Sequence, residues 1–197
     1  MSNQYHFITR WRVKGATSEV YDIISEPLEY PRWWPSVYLQ THEIEHGDKD
    51  GIGRRISLYT KGWLPYTLHW ESSSTEAKRP NRLAIRAEGD FNGRGIWALE
   101  QEGDFVSVTF DWKLTADKPL LRYLSFLLKP AFSANHRWAM ERGRESLDLE
   151  IARRHAQTPE ERHRIPAPPQ PNRTSGLWLG LGLVVVVGVI VAFVCWR

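Results

Sequence analysis

Tyr5 to Val13 places Tyr5, Phe7, Thr9, Trp11 and Val13 on one side of the chain and His6, Ile8, Arg10 and Arg12 on the other. A period of two predicts a first strand with one face toward a core. Thr17 or Ser18 then caps a short helix through Ile24, which offers Val20, Tyr21, Ile23 and Ile24 for burial before Pro27 interrupts it. A second helical piece covers Leu28 to Trp34 and ends before Pro35. Strand-like stretches follow at Val37 to Glu45, Gly53 to Tyr59, Tyr66 to Ser74, Arg82 to Gly89, Gly95 to Gln101 and Phe105 to Leu114. The breaks between them, Gly47 to Gly51, Gly62 to Pro65, Arg79 to Asn81, Asp90 to Gly93 and Glu102 to Asp104, have turn chemistry. Six strands joined by short turns predict an antiparallel meander. The last shows the cleanest alternation, with Val106, Val108, Phe110, Trp112 and Leu114 against Ser107, Thr109, Asp111 and Lys113.

Lys118 to Arg154 changes period and predicts helix with a break near Pro130. Leu120, Leu121, Leu124, Leu127 and Leu128 make its first part apolar. Phe132, His136, Met140, Gly143, Leu147 and Ile151 then recur at three- or four-residue steps, one face of a long helix, while Arg137, Glu141, Arg144 and Asp148 form a solvated face. Gly143 on the buried face lets the helix approach the sheet closely. The class is α+β, a curved antiparallel sheet of seven strands wrapped around the long helix.

The chain ends in a different kind of segment. Gly176 to Trp196 contains no charged side chain over 21 residues, and a helix of that length rises about 30 Å, the hydrocarbon thickness of a bilayer. This predicts a single transmembrane helix at 176–196. Arg162, Arg164 and Arg173 precede it and only Arg197 follows, which with the absence of an N-terminal signal-like run places the N-terminal domain in the cytoplasm. Gly176, Gly180, Gly188 and Ala192 share one face, a spacing through which two spans would associate as a weak homodimer. The single cysteine, Cys195, lies in this segment, so no disulfide forms within the chain, as suits a reducing compartment. A Pro- and Arg-rich tether at 155–175, with Pro159, Pro166, Pro168, Pro169 and Pro171, is expected to be partly extended and to hold the 1–154 domain off the membrane.

Charge narrows the partners. The net charge of +3 rests on 26 Lys+Arg against 23 Asp+Glu. Six of the arginines but only two acidic residues lie from Ile151 onward, leaving 20 basic and 21 acidic residues before it. The folded part is nearly neutral and carries no basic stripe, so nucleic acid is not an expected partner. The basic excess instead lies beside the apolar segment, where anionic headgroups would attract it.

The element order, with Tyr30-Pro31-Arg32-Trp33-Trp34-Pro35, Lys61-Gly62-Trp63-Leu64-Pro65-Tyr66, Gly89-Asp90-Phe91-Asn92-Gly93 and Asn135-His136-Arg137-Trp138-Ala139-Met140-Glu141-Arg142-Gly143, resembles the polyketide cyclase/dehydrase branch of the START-like (SRPBCC, helix-grip) superfamily over roughly Tyr5 to Arg154. The resemblance implies a hydrophobic cavity between sheet and long helix that takes lipids, sterols, polyketides or plant hormones. It does not imply one chemistry, since the fold hosts binders and enzymes alike.

Recognisable catalytic motifs are few. There is no paired cysteine and no His-Glu-x-x-His, so no metal is expected. Gly51-Ile52-Gly53 and Gly93-Arg94-Gly95 lack the third glycine of a dinucleotide site, no cofactor is expected, and no Gly-x-Ser-x-Gly elbow occurs. What remains is a set of aromatic and apolar residues: Trp33, Trp34, Tyr66, Leu68, Trp70, Trp97, Leu99, Phe110, Trp112, His136 and Met140 are the candidate ligand-binding residues. His136, mid-face on the long helix, is the candidate catalytic group, able to act as acid or base or to hold a ligand carbonyl. Trp33 and Trp34 are expected at the cavity mouth, where they either gate it or staple the second short helix to the sheet. His69, Glu71 and Asp111 are expected on outward faces, and Arg86 and Arg94 also if the register holds. The leading function is uptake of a hydrophobic small molecule or lipid by a membrane-anchored domain. The alternatives are a cyclase or dehydratase acting on a polyketide-like substrate through His136, and an interaction module with a solid core.

Overall fold

The computed structural model describes residues 4–116 and 119–172, with side chains outside 116–129. The 176–196 segment, its small-residue face of Gly176, Gly180, Gly188 and Ala192, and Cys195 lie outside the described residues. So do the side chains of the leucines at 120–128. Among the described residues, no helix is long and apolar enough to cross a membrane.

Strand β1 spans Gln4–Lys14 and alternates as its sequence requires, with Tyr5, Trp11 and Val13 buried and their neighbours exposed. Helix α1 covers Thr17–Ile24. Its cap differs from expectation: Ala16 occupies the capping position, and Glu19 Oε2 accepts the Ala16 N–H at 2.9 Å. Thr17 is already helical, and its N–H and hydroxyl both donate to Gln101 Oε1 instead. A 3-10 turn at Pro27–Glu29 leads into α2, Tyr30–Trp33.

The meander then runs through β2 (Tyr38–Glu45), β3 (Arg55–Lys61), β4 (Thr67–Lys78), β5 (Arg82–Gly89), β6 (Phe91–Glu102) and β7 (Phe105–Ala116). All pairings are antiparallel in the order β1-β7-β6-β5-β4-β3-β2, so β1 closes the sheet against β7 with Trp11 opposite Val108. Register shifts between Tyr38 and Gln40, Glu43 and Glu45, and Ser74 and Glu76 mark irregularities of the kind that bend strands. Two boundaries correct the sequence reading. Strand β4 continues four residues past Ser74, and β6 begins at Phe91 where a turn at Asp90–Gly93 was expected. Phe91 to Ala98 pair along β7, and only Asp90 is left between β5 and β6; its carboxylate accepts the His69 N–H at 2.8 Å. Long-range pairing outweighs the turn propensity of Asn92 and Gly93.

Helix α3 runs unbroken over Pro119–His155, with Pro130 inside it. The expected break is absent. The buried face of its second half is the predicted one at Met140, Gly143, Leu147 and Ile151, while Arg144 pairs with Glu141 and Asp148 on the outside. Gly143 serves a close approach, but not to the sheet. A Cβ there would lie 2.2 Å from Trp34 Cζ2, so the glycine makes room for the indole that follows α2. A feature without sequence signal reinforces the same junction. Glu150, its side chain 3 % exposed, accepts two hydrogen bonds from the Arg32 guanidinium at 2.7 and 2.8 Å and a third from Arg154.

Beyond α3 the chain forms α4, Pro159–Arg164, capped by Thr158, whose hydroxyl accepts the Glu161 N–H. From there the described part of the chain returns to the domain. Arg153 donates to the Pro166 carbonyl, and Lys61 Nζ donates to the Asn172 carbonyl at 3.1 Å. A proline-rich stretch has few N–H groups of its own, and its carbonyls find donors on the domain.

Candidate functional site

The inner face of the sheet and α3 do not close on each other. Between them lies a cavity of about 560 Å³. Strands β3 and β4 supply Ile56, Leu58, Thr60, Leu68, Trp70 and Ser72, β6 and β7 supply Trp97, Phe110 and Trp112, and α3 supplies Phe132, His136, Ala139 and Met140. The period of two turns these positions inward together, and their aromatic rings pack against one another along and across strands. Trp97 lies 4.0 Å from Phe110, Phe110 lies 5.5 Å from Trp112, and Trp70 lies 5.2 Å from Phe91, each measured between centroids. Offset rings of this kind make a rigid apolar wall.

The polar groups of the wall are mostly engaged. Thr60 Oγ1 accepts the Trp70 indole N–H at 3.1 Å and donates weakly to the Leu68 carbonyl. Asn135 Oδ1 accepts two backbone N–H groups, from Trp63 and Leu64. His136 packs its ring on Phe7, 4.3 Å between centroids, with Nε2 at 3.3 Å from Thr9 Oγ1. Burial pushes its imidazole down to about 4, Arg137 adding to the effect, so it is neutral near pH 7. Burial likewise pushes the Tyr66 phenol up to about 12, and raises Tyr30 and Tyr38. Among the described residues, the middle of the cavity therefore carries no ionised group, and the charged lining residues lie at its ends, Lys49, Asp50, Arg54 and Arg79 at one and Lys61 at the other. On this wall the buried Trp34 Nε1 has no hydrogen-bond partner among the described residues.

Of the residues singled out in the sequence, Trp34, Tyr66, Leu68, Trp70, Trp97, Phe110, Trp112, His136 and Met140 are brought to the cavity wall. Trp33 and Leu99 are not. Both are 1 % exposed and packed into the solid part of the core. Trp33 and Trp34, expected either to gate the cavity or to staple the second short helix to the sheet, are both buried. Trp34 is 2 % exposed, tilted against Trp33 at 5.4 Å and edge-on to Trp11 and Tyr38, and holds α2 onto α3. The outward residues sit where the alternation puts them: Asp111 contacts His6, Glu71 pairs with Arg55, and His69, Arg86 and Arg94 are exposed. Sequence reading missed Thr60, Ser72, Tyr30, Tyr38 and Phe132 as wall residues. Thr60 was accessible from the Ile56–Leu58–Thr60 alternation, whereas Tyr30 reaches the wall only through the packing of α2. Among the described residues no cluster could hold a metal ion.

An antiparallel seven-stranded sheet gripping one long helix around an apolar cavity is the helix-grip arrangement of the START-like proteins. Residues 8–148 match the family described as polyketide cyclase / dehydrase and lipid transport, and the chain belongs to that family. No curated protein matches the chain. Among solved structures, it is similar to the Zhui aromatase/cyclase of a Streptomyces species at 13 % identity, with a TM-score of 0.64 over 78 % of this chain and 97 % of that one. A protein from Thermus thermophilus is similar at 13 % identity and TM-score 0.62, over 77 % of this chain and 100 % of that one. A START superfamily protein from Mycobacterium smegmatis is similar at 14 % identity and TM-score 0.51, over 68 % and 97 %. At such identities the likeness is one of fold.

Proposed function

We propose that the domain takes up an uncharged hydrophobic small molecule or lipid in the cavity between sheet and α3, and does so beside a membrane to which the 176–196 segment anchors it. The observation that carries the reading is the cavity itself. A space of about 560 Å³ lined by aromatic and aliphatic side chains is of ligand size. Its neutral imidazole and phenols offer hydrogen bonds without the cost of burying a charge. An apolar ligand partitions into the bilayer, so an anchored pocket meets it at high local concentration. On this reading the domain at 1–154 faces the cytoplasm, the basic run before the span favours anionic headgroups, and two spans associate weakly through Gly176, Gly180, Gly188 and Ala192.

The test uses the full chain in lipid nanodiscs. Organic extraction and mass spectrometry should recover one apolar species in near-stoichiometric amount from the wild type. Ala139→Trp, which fills the cavity from the helix side, should lose it. A wild-type cavity that is reproducibly empty would count against the proposal.

A second reading has His136 in its favour. A neutral imidazole beside Thr9 in an apolar pocket is a competent proton donor or acceptor for folding or dehydrating a polyketide-like chain, and similarity to an aromatase/cyclase fits the same chemistry. Turnover of such a substrate that survives His136→Ala would remove this catalyst. The interaction-module alternative, which needs a solid core, has the cavity against it.

A further inference from the structure

The end of the described chain lies at one particular end of the cavity. Helix α3 finishes at His155, and from Asn135 to there it extends about 30 Å. The chain then turns back, is held by Arg153 at Pro166, and brings Asn172 to Lys61 at the close of β3. Lys61 and Gly62 line the cavity, as does Asn135. Only Arg173, Thr174 and Ser175 stand between Asn172 and the uncharged 176–196 run, a reach of at most about 14 Å for extended chain. On the anchoring proposed above, a span beginning there would emerge beside this end of the cavity and not beside the opposite one, which lies beyond the far end of β3, about 20 Å away.

The loop at this end is built to present an apolar group outward. Asn135 Oδ1 accepts the N–H of Trp63 at 2.8 Å and of Leu64 at 3.2 Å, fixing the loop onto α3. Gly62 makes the seat, since a Cβ there would fall 2.1 Å from the Asn135 oxygen. So held, Trp63 is 38 % exposed while its neighbours Gly62 and Leu64 are half-buried. An indole ring with one wet edge and one apolar face prefers the headgroup boundary of a bilayer.

From this juxtaposition we infer that the β3–β4 loop, Lys61 to Tyr66, is a docking surface for the lipid bilayer itself: Trp63 seats at the headgroup level and the adjoining end of the cavity opens toward lipid. The inference rests on the anchor proposed above and adds an orientation to it. A ligand then moves between bilayer and cavity without crossing water.

The experiment places the full-length chain, with Cys195→Ser, in phosphatidylcholine vesicles and attaches an environment-sensitive fluorophore to a single new cysteine. Trp63→Cys reports the loop, Pro65→Cys is a second exposed position in it, and Lys49→Cys reports the turn before β3 at the opposite end. The expected result is a blue shift at 63 and 65, with loss of emission when headgroup-depth doxyl lipids are included, and neither at 49. Vesicle-bound protein whose probes at 63 and 65 respond no more than the probe at 49 would overturn the docking and leave the anchor standing. Failure of the full chain to float with vesicles would overturn the anchor, and the docking with it.

Discussion

Gly143→Ala sets two effects of known sign against each other. In an exposed helix the change gains about 1 kcal/mol, because alanine has the higher helix propensity. Here the new methyl would stand 2.2 Å from Trp34 Cζ2, 2.5 Å from Cε2 and 2.6 Å from Cη2, all well inside the carbon contact distance of about 3.5 Å. The indole cannot rotate aside, since Trp33, Tyr30, Tyr38 and Trp11 all lie within 6.2 Å of it, ring to ring. Overpacking of a well-filled core costs about 1–3 kcal/mol, and a gap this short belongs at the upper end, so the net expectation is destabilisation by about 1–2 kcal/mol. Urea denaturation of the variant against wild type measures it. Because the clash is with ring atoms, Gly143→Ala made in a Trp34→Leu background should be neutral or stabilising, and the two changes should be coupled by about 2 kcal/mol. A Gly143→Ala variant that is more stable than wild type would show that propensity outweighs packing at this helix crossing and refute the reasoning.

Two further predictions follow the buried titratable groups. The His136 imidazole, held at about 4 against its ordinary 6.5, should stay neutral in an NMR titration down to pH 5; because the unfolded chain takes up this proton first, the group lowers stability as pH falls from 6.5 to about 4 and adds nothing below. A titration midpoint near 6.5 would contradict the buried placement. For Glu150, burial would raise the carboxyl, but hydrogen bonds from Arg32 and Arg154 outweigh it and hold it below its ordinary 4.5. Its stabilisation is therefore present above pH 4.5 and lost as pH falls through the folded value. Glu150→Gln should cost about 2 kcal/mol near neutral pH, less than a fully buried pair because Arg32 stays hydrated, and should flatten the acid limb of the stability curve. An unchanged acid limb would show that the Arg32 contact is not maintained in solution.

Local sequence rules determined a great deal of this protein. A period of two in Tyr5–Val13 and Phe105–Leu114, a period near 3.6 from Phe132 to Ile151, and glycine- and proline-marked turns were enough for the element order, the antiparallel meander and the inward placement of Trp70, Trp97, Phe110 and Trp112. These features depend on neighbours in the chain, and side-chain direction follows from backbone period alone. The charge-free stretch at 176–196 is equally a property of consecutive residues.

Tertiary structure decided what depends on residues far apart in sequence. Pro130 does not interrupt α3, and β6 extends into a would-be turn because β7 supplies a partner for Phe91 to Ala98. Trp33 and Leu99 have the same composition signal as Trp34 and Trp97, yet they face packed atoms rather than the hollow. Which inward residues meet a void is set by how far apart sheet and helix come to rest. The Arg32–Glu150 pair joins residues 118 positions apart, the seat of Trp34 on Gly143 joins α3 to the end of α2, and the contact of Asn172 with Lys61 spans 111 positions. Contacts of that range are chosen by packing and by the satisfaction of buried polar groups over the whole domain, and no window of consecutive residues contains the terms that decide them.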